Sequence, residues 1–260
     1  MILCLAQLSP CWNDPGLGLE KMRKFAVEAS QKDADLIAFP EQFLTGWDPD
    51  DTSFATKETG SLVGGMRDIA REAGIGIIGS FREESDNKPK NTCIAIGPDG
   101  DILAKYSKIH LFSPGGEDEH YLAGKDLGIF RYGSCKTGLA ICYDLRFSPL
   151  FQAYRDKGVE LMIVPSAWPS SRIKYLTLFT RSRAAEFQFF VASVNTVGPT
   201  PVDNYSGETC IAGPDGTIRA CGGGNEELVY YDIREEEVRS IRANFPVYRD
   251  YSKTDYKSLK

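Results

Sequence analysis

The residue with the clearest chemical potential is Cys142, which ends an apolar run that begins at Gly138. Such a run, bounded by glycine, predicts a buried strand. Asp144 is a good N-cap for a helix beginning near Leu145, so Cys142 is expected at a strand-to-helix turn. The positive end of a helix favours a thiolate over a thiol, which predicts a nucleophile. The alternative is a small core hydrophobe, because free cysteine is among the most buried residue types.

A cysteine nucleophile needs a base, and Glu41 is the candidate at the end of a second apolar run, residues 35–40. A carboxyl held in a partly apolar pocket beside Phe43 has a raised pKa and can act as a base. The alternative is a surface glutamate at a turn. Lys108 lies in a third apolar stretch, residues 106–112, where a lysine needs a carboxylate partner. Its alternatives are a structural ion pair and a snorkelling surface lysine.

The composition limits the class of protein. The chain has 260 residues, of which 42% are hydrophobic and 25% charged, as in a soluble globular α/β protein. The net charge is −6 and no basic stripe stands out, so we expect no nucleic-acid or membrane-surface partner. The apolar stretch 1–10 has no basic leader region and is too short to span a bilayer.

The cysteines and histidines argue against disulfides and metals. There are seven cysteines, an odd number, and no pair has C-x-x-C spacing. Only two histidines occur, His110 and His120, which is too few for a histidine-rich metal centre. A reducing, cytoplasmic compartment is therefore expected, and no metal is expected.

Strand-like and helix-like segments alternate along the chain, with hairpins between them. The turn sequence Gly-Pro-Asp-Gly occurs at 97–100 and again at 213–216, each time after Thr-Cys-Ile-Ala. Residues 74–79 match G-x-G-x-x-G, but a helix precedes them and the motif itself forms the strand, so a dinucleotide site is rejected. The pattern predicts one α/β domain over 1–260 with mixed sheets. Its tail, 244–260, is expected to pack on a partner subunit.

With their flanking residues, these stretches resemble the nitrilase superfamily of carbon–nitrogen hydrolases. The resemblance is carried by FPEQFLTGW at 39–47, YSKIHLF at 106–112 and GLAICYDLRF at 138–147. It implies that the catalytic triad of the family falls on Glu41, Lys108 and Cys142. Glu117 resembles the second, supporting glutamate, with Glu119 close by as the competing choice. The resemblance also implies a four-layer αββα sandwich with two mixed sheets, paired into a homodimer or a higher homo-oligomer.

The signatures CYDLRF and PEQFLTGW are most similar to the omega-amidase branch of this family. That branch removes ammonia from the terminal amide of small α-keto dicarboxylic acid monoamides, through a cysteine thioester and without a metal or organic cofactor. Lys108 and the Tyr143 N–H are expected to bind the oxyanion, and Glu41 to act as base. The expected substrate-binding side chains are Phe43, Trp168 and Arg172. Arg146 is expected either to pair with Asp144 or to bind an acidic substrate.

Three other functions remain open at this point. The same triad serves hydrolysis of nitriles or N-carbamoyl amines, and the sequence does not separate these from amides. A catalytically inactive binding protein on the same fold is disfavoured because all three residue types of the triad are present. A redox or metal thiol protein is disfavoured by the cysteine spacing.

Overall fold

Two six-stranded sheets form the centre of the molecule, and the computed structural model describes residues 1–250. The strands of the first sheet are β1 (Ile2–Gln7), β2 (Leu36–Ala38), β3 (Gly76–Glu83), β4 (Lys90–Ile96), β5 (Ile102–Ser107) and β14 (Glu227–Asp232). Those of the second are β6 (Gly128–Tyr132), β7 (Cys135–Leu139), β8 (Leu161–Ser166), β9 (Phe190–Asn195), β12 (Cys210–Ala212) and β13 (Ile218–Cys221). A separate ribbon joins β10 (Val197–Pro199) to β11 (Asn204–Ser206).

The two sheets have the same topology. The first has the order β14-β1-β2-β3-β4-β5 and the second, read in the same sense, β6-β7-β8-β9-β12-β13. In each, three parallel strands lie in the centre, with one antiparallel strand on one side and an antiparallel hairpin on the other. The repeated Gly-Pro-Asp-Gly turns close the two equivalent hairpins, so their recurrence reflects a repeated half.

Helices cover the outer faces of both sheets. The α-helices of residues 1–250 are α1 (Pro15–Ser30), α2 (Ser61–Ala73), the short α3 (Glu117–His120), α4 (Ser148–Asp156), α5 (Lys174–Phe187) and α6 (Glu235–Asn244). Of these, α1 and α2 pack on the first sheet, and α4 and α5 belong to the second half. The order of layers is helices, sheet, sheet, helices. The predicted αββα sandwich with two mixed sheets is confirmed.

Strand periodicity produces this layering, because alternate residues of a strand face opposite sides of the sheet. In β1, Leu3 and Leu5 face the core between the sheets, whereas Cys4 and Ala6 face the outer core under α1 and α2. The inner core reaches the second sheet through residues such as Leu139. Both faces of the first sheet are apolar. Burying one face against the second sheet and the other against α1 and α2 removes apolar surface from water and stabilises the sandwich.

The segment after Cys142 differs from the sequence expectation. The helix expected near Leu145 begins at Ser148 instead, and β7 ends at Leu139 rather than at Cys142. The G-x-G-x-x-G stretch lies in α2's C-cap and in β3, with no helix following, as predicted.

Two predictions about the organisation of the chain, the packing of its tail and its single domain, remain predictions. Part of the expected tail, residues 251–260, lies outside the described residues, and the single domain over 1–260 remains a prediction. Within residues 1–250, no helix is long and apolar enough to cross a membrane.

Candidate active site

The candidate residues meet where strands of both sheets end. Glu41 follows β2, the second of three parallel strands in the first sheet, and its N–H donates to the carbonyl of Ser166 at the end of β8 (3.4 Å). Lys108 follows β5, and Cys142 follows β7. Strand ends in α/β sheets are where side chains from separate elements converge. The face-to-face packing of the halves therefore brings together residues far apart in the chain.

Cys142 occupies a strained turn. Its φ is +45°, in the left-handed region that costs a residue with a side chain about 1–2 kcal/mol. It begins a 3₁₀ helix, Cys142–Arg146, and the α-helix starts only at Ser148. In this turn the N–H of Tyr143 has no backbone acceptor among the described residues. The turn thus presents the thiol beside an available N–H group.

Asp144 is not the helix N-cap that the sequence predicted. Its carboxylate instead reaches back to the Ile141 N–H (3.0 Å) and accepts from the hydroxyl of Tyr106 (2.7 Å). It also accepts from the His110 N–H (3.0 Å) and contacts the ring Nδ1 of His110 (2.8 Å). Asp144 therefore fastens the Cys142 turn to the segment that carries Lys108, and these hydrogen bonds satisfy its buried side chain.

Lys108 lies between two carboxylates. Its Nζ is 2.9 Å from Oε1 of Glu41 and 2.8 Å from Oε2 of Glu117, and all three side chains are almost completely buried. The Glu117 oxygen that faces Lys108 also accepts the Phe112 N–H (2.7 Å). Glu119 is exposed, so the structure selects Glu117 as the second glutamate of the cluster.

Asn91 completes the cluster from β4. Its side-chain Nδ2 donates to Oε1 of Glu41 (2.8 Å) and to Oε1 of Glu117 (2.9 Å). Its backbone carbonyl accepts the backbone N–H of Lys108 (2.8 Å). The second oxygen of Glu41 accepts the Ala167 N–H (3.0 Å). Because their oxygens are held by fixed donors, both carboxylates have defined positions.

The two glutamates differ in acidity. Burial raises the pKa of Glu41, and the charge of Glu117 adds to that rise while Lys108 opposes it. Burial also acts to raise the pKa of Glu117, but Lys108 and the hydrogen bonds from Asn91 and Phe112 outweigh it and lower the pKa. Glu117 is thus the permanent counter-ion of Lys108. Glu41 is the carboxyl that can exchange a proton, since paired carboxyls with separated pKa values divide such roles.

The thiol is not activated by a helix dipole, contrary to the sequence expectation. Burial raises the pKa of Cys142 well above its usual range, the Glu41 charge raises it further, and Lys108 acts in the opposite direction. Burial and the Glu41 charge thus favour the thiol form of Cys142 over the thiolate. Burial acts to lower the pKa of Lys108, but Glu117 and Glu41 outweigh it and raise the pKa well above normal. Lys108 remains an ammonium.

A cleft of about 400 Å³, its open mouth included, lies in front of Cys142. Three predicted residues line it, Tyr143, Trp168 and Arg172, together with Lys108. Phe43 does not. The chain turns after Pro40, so Phe43 packs on Phe39 (ring centroids 5.3 Å apart) in the outer core, while Glu41 points inward.

Arg146 also lines this cleft and does not pair with Asp144. Its guanidinium lies 5.1 Å from the ring centroids of Trp168, Tyr175 and Phe179 and 5.8 Å from that of Tyr143. Such stacking holds a cation by the ring quadrupoles without neutralising it. Across residues 1–250, neither Arg146 nor Arg172 forms an ion pair with a carboxylate. Asp144 is unavailable because its oxygens are already bonded to His110, Tyr106 and Ile141.

The sequence interpretation missed Asn91, the Ala167 N–H and the aromatic support of Arg146. Asn91 had one visible signal, an amide side chain at the start of an otherwise apolar strand, residues 91–96. Nothing local marks Ala167, because its contribution is a backbone N–H that any residue type provides. Tyr175 and Phe179 read as one face of a helix, and only packing shows that they face Arg146.

Comparison with protein families matches residues 3–243 to the family described as carbon-nitrogen hydrolase. The chain belongs to the carbon–nitrogen hydrolase family. An omega-amidase NIT2 from Homo sapiens is 35% identical over 239 residues, covering 86% of each chain. A 2-oxoglutaramate amidase from Bacillus subtilis is 30% identical over 257 residues, covering 98% of each.

Solved structures agree. XC1258 from Xanthomonas campestris, a CN-hydrolase superfamily protein with an arsenic adduct in its active site, superposes with a TM-score of 0.91, 27% identity and 98% coverage of both chains. An amidase from Nesterenkonia sp. gives 0.86 and 25%, covering 97% of this chain and 96% of its own. The predicted fold family and enzyme class are confirmed: the protein is a carbon–nitrogen hydrolase of the amidase type.

Proposed function

We propose that the protein hydrolyses the terminal amide of a small α-keto dicarboxylic acid monoamide and releases ammonia. The observation that carries this substrate class is the pair of guanidiniums, Arg146 and Arg172, in the wall of the Cys142 cleft without carboxylate partners among the described residues. A substrate with a carboxylate away from its amide would supply the missing anion. The similarity to a 2-oxoglutaramate amidase supports the same class.

The rest of the cleft fits a short acidic molecule. Trp168, Tyr143 and Phe112 form apolar walls, and Arg172 lies 5.2 Å from the Phe112 ring centroid. Asp203 also lines the cleft, so two cations face one carboxylate there and the wall carries a net positive charge. In a chain of net charge −6, this local excess is what attracts an anion.

In the first half of the reaction, Glu41 takes the proton of the Cys142 thiol as the sulfur attacks the amide carbon. Charge develops on the carbonyl oxygen, and the Lys108 ammonium and the Tyr143 N–H stabilise it. The C–N bond then breaks while Glu41 passes its proton to the leaving nitrogen. Ammonia departs and the acyl group remains on Cys142 as a thioester.

In the second half, Glu41 takes a proton from water as that water attacks the thioester carbon. The same two donors stabilise the second oxyanion. When the C–S bond breaks, the proton returns to sulfur and the dicarboxylic keto acid leaves. Glu117 forms no bond to the substrate; it keeps Lys108 charged and in position. Every proton transfer uses residues of this chain, and the steps require no metal or organic cofactor.

The test is steady-state ammonia release from α-ketoglutaramate, compared with glutamine, small aliphatic amides, an N-carbamoyl amine and aliphatic nitriles. We expect the highest kcat/KM for the keto-acid amide. A nitrile or an N-carbamoyl amine as the best substrate would disprove the substrate class while leaving the triad intact. Absence of turnover on the whole panel, with no acyl adduct on Cys142 by intact-protein mass spectrometry, would disprove the hydrolase mechanism.

We also propose a homodimer or higher homo-oligomer in the cytoplasm, with residues 244–260 packing on the partner. Leu178 on α5 is 55% exposed and Phe245 is 66% exposed, and both are large apolar side chains that a partner subunit would cover. The seven unpaired cysteines suit a reducing compartment. Light scattering on the purified chain tests the assembly, because a monomeric mass at micromolar concentration would contradict it.

A further inference from the structure

A second cavity, remote from Cys142, is lined by three arginines. It holds about 500 Å³, its open mouth included, and shares no lining residue with the catalytic cleft. Its wall residues come from α4, the end of α5, α6 and the segment after α6: Arg155, Gln188, Arg242, Pro246, Tyr248 and Arg249. Among residues 1–250, no carboxylate lines it.

The arginines of this cavity are not neutralised by the described residues. Arg242 donates only to backbone carbonyls, from Nε to Gln188 (2.9 Å) and from a terminal nitrogen to Val159 (2.8 Å). Arg155 stacks on the Tyr248 ring at 4.4 Å, and its buried Nε has no hydrogen-bond acceptor in the described part of the chain. Asp156 and Glu160 act on these cations only through space, since neither forms an ion pair with them.

Two of the three guanidiniums, those of Arg155 and Arg242, have lowered pKa values. Burial lowers the pKa of Arg242 to about 10, and the neighbouring charge of Arg155 contributes to that shift. Burial also lowers the pKa of Arg155. A fold that crowds guanidiniums at a partly buried wall without carboxylates leaves a site for an anion.

We propose that this cavity, between α4, α6 and the segment 246–249, binds an inorganic phosphate ion, with hydrogen phosphate as the bound form. Guanidinium groups match phosphate oxygens with parallel N–H···O bonds. The cavity also contains an acceptor in need of a donor: Oε1 of Gln188 is buried and unpartnered within residues 1–250, while its Nε2 is fixed on the carbonyl of Phe245 (2.7 Å). Hydrogen phosphate brings charged oxygens and an O–H together, whereas a carboxylate brings only acceptors.

The experiment is a calorimetric titration of the full chain with inorganic phosphate in chloride buffer at matched ionic strength. We expect one saturable site per chain that Arg155→Gln and Arg249→Gln each weaken about tenfold or more, the loss expected from removing a charged hydrogen bond. Arg23→Gln is the matched control, because it removes an exposed arginine that already pairs with Glu72 and should leave binding unchanged. Sulfate, which has no O–H at neutral pH, should bind more weakly than phosphate.

A thermal melt separates a free anion from a carboxylate of the chain itself. In chloride alone, Arg155→Gln should keep or raise Tm because it removes one of three neighbouring like charges; in phosphate it should lower the gain in Tm. The proposal is overturned if phosphate gives no saturable heat, or if both arginine variants bind as wild type. A fall of Tm in Arg155→Gln in chloride would also overturn it, since the guanidinium would then be neutralised within the protein without phosphate.

Discussion

Two groups of charges lie on either side of Cys142, and they are built in opposite ways. In the buried cluster of Glu41, Lys108 and Glu117, every charge is held by another charge or by a fixed donor within 3.0 Å. In the cleft wall, Arg146 is held by aromatic rings and has no carboxylate partner among the described residues. Each charge of the cluster thus has its partner before a ligand binds, whereas the cation of the wall gains a carboxylate partner only from a bound ligand.

The two groups are expected to act on different free energies: the cluster on the activation free energy of the chemical step, and the wall on the free energy of substrate binding. A preorganised cluster contributes to the chemical step, because its dipoles and charges do not reorganise when charge develops. An unpaired cation contributes to binding and to the choice of substrate, because its partner arrives with the substrate. Substitutions in the cluster should therefore change kcat and its pH dependence, and substitutions in the wall should change KM for acidic substrates. The following predictions are in order of decreasing expected effect.

The largest effect is expected at the point where the two groups meet. Cys142→Ala should lower kcat by about 10⁴-fold or more, because no other group can form the thioester. Cys221→Ala is the matched control, because Cys221 is exposed on the edge strand β13 and does not line the catalytic cleft. Ammonia release measures both variants. Substantial turnover by Cys142→Ala would contradict covalent catalysis.

Within the cluster, Glu117→Gln should lower kcat by about 100-fold, as for loss of an oriented electrostatic donor, because Lys108 loses one of its two carboxylates. It should also shift the acidic limb of the kcat/KM profile to lower pH. Glu117 raises the pKa of Glu41, so removing its charge lowers that pKa and keeps the base ionised in more acidic solution.

Glu119→Gln is the control for this prediction, since Glu119 is exposed in the same short helix α3. Its pH profile should match that of wild type. A shift of the acidic limb to higher pH in Glu117→Gln would show that Glu117 does not raise the pKa of Glu41.

In the wall, Arg146→Met should raise KM for the keto-acid amide by about 10- to 100-fold, the range expected for one lost charge-assisted hydrogen bond. Methionine keeps an apolar contact with the Trp168 and Phe179 rings, so the wall should stay folded. A neutral aliphatic amide is the internal control, with KM unchanged. An equal loss for acidic and neutral amides would remove the distinction drawn between wall and cluster.

The smallest catalytic change and a clear stability change are expected at Asn91. Asn91→Ala removes the amide that bonds both glutamates, so the free energy of unfolding should fall by about 1–3 kcal/mol. Asn87→Ala, in the exposed loop between β3 and β4, is the control. Urea denaturation measures both, and a wild-type midpoint for Asn91→Ala would mean that the carboxylates do not need this donor.

The sequence was most informative where function depends on residue type at the end of a strand. Glu41, Lys108 and Cys142 each follow a recognisable apolar run, and Glu117 falls at a position that the family resemblance marks. Trp168 and Arg172 were also predicted, and both line the cleft. Phe43 was also predicted at the cleft, but it packs in the outer core, because the chain turns after Pro40 and Phe43 then faces away from Glu41.

The helix start after Cys142 shows why local rules fail at such a site. Asp144 has the residue type and spacing of an N-cap, but the buried Tyr106 hydroxyl and His110 N–H compete for its oxygens. These donors lie more than thirty residues away in the chain, so no local pattern contains them. The tertiary contacts outweigh the capping preference, which is worth only about 1 kcal/mol.

The amino-acid sequence by itself determined the alternation of strands and helices, the repeated hairpin turn, and the residue types that end the critical strands. It did not determine the protonation of those residues. The pKa of the Cys142 thiol is raised and the two glutamates differ in pKa because burial and charges brought from other strands act on them. Likewise, only the folded chain shows that Arg146 is stacked on aromatic rings and has no carboxylate partner within residues 1–250. Both properties depend on distance and desolvation, which arise when the two sheets pack together.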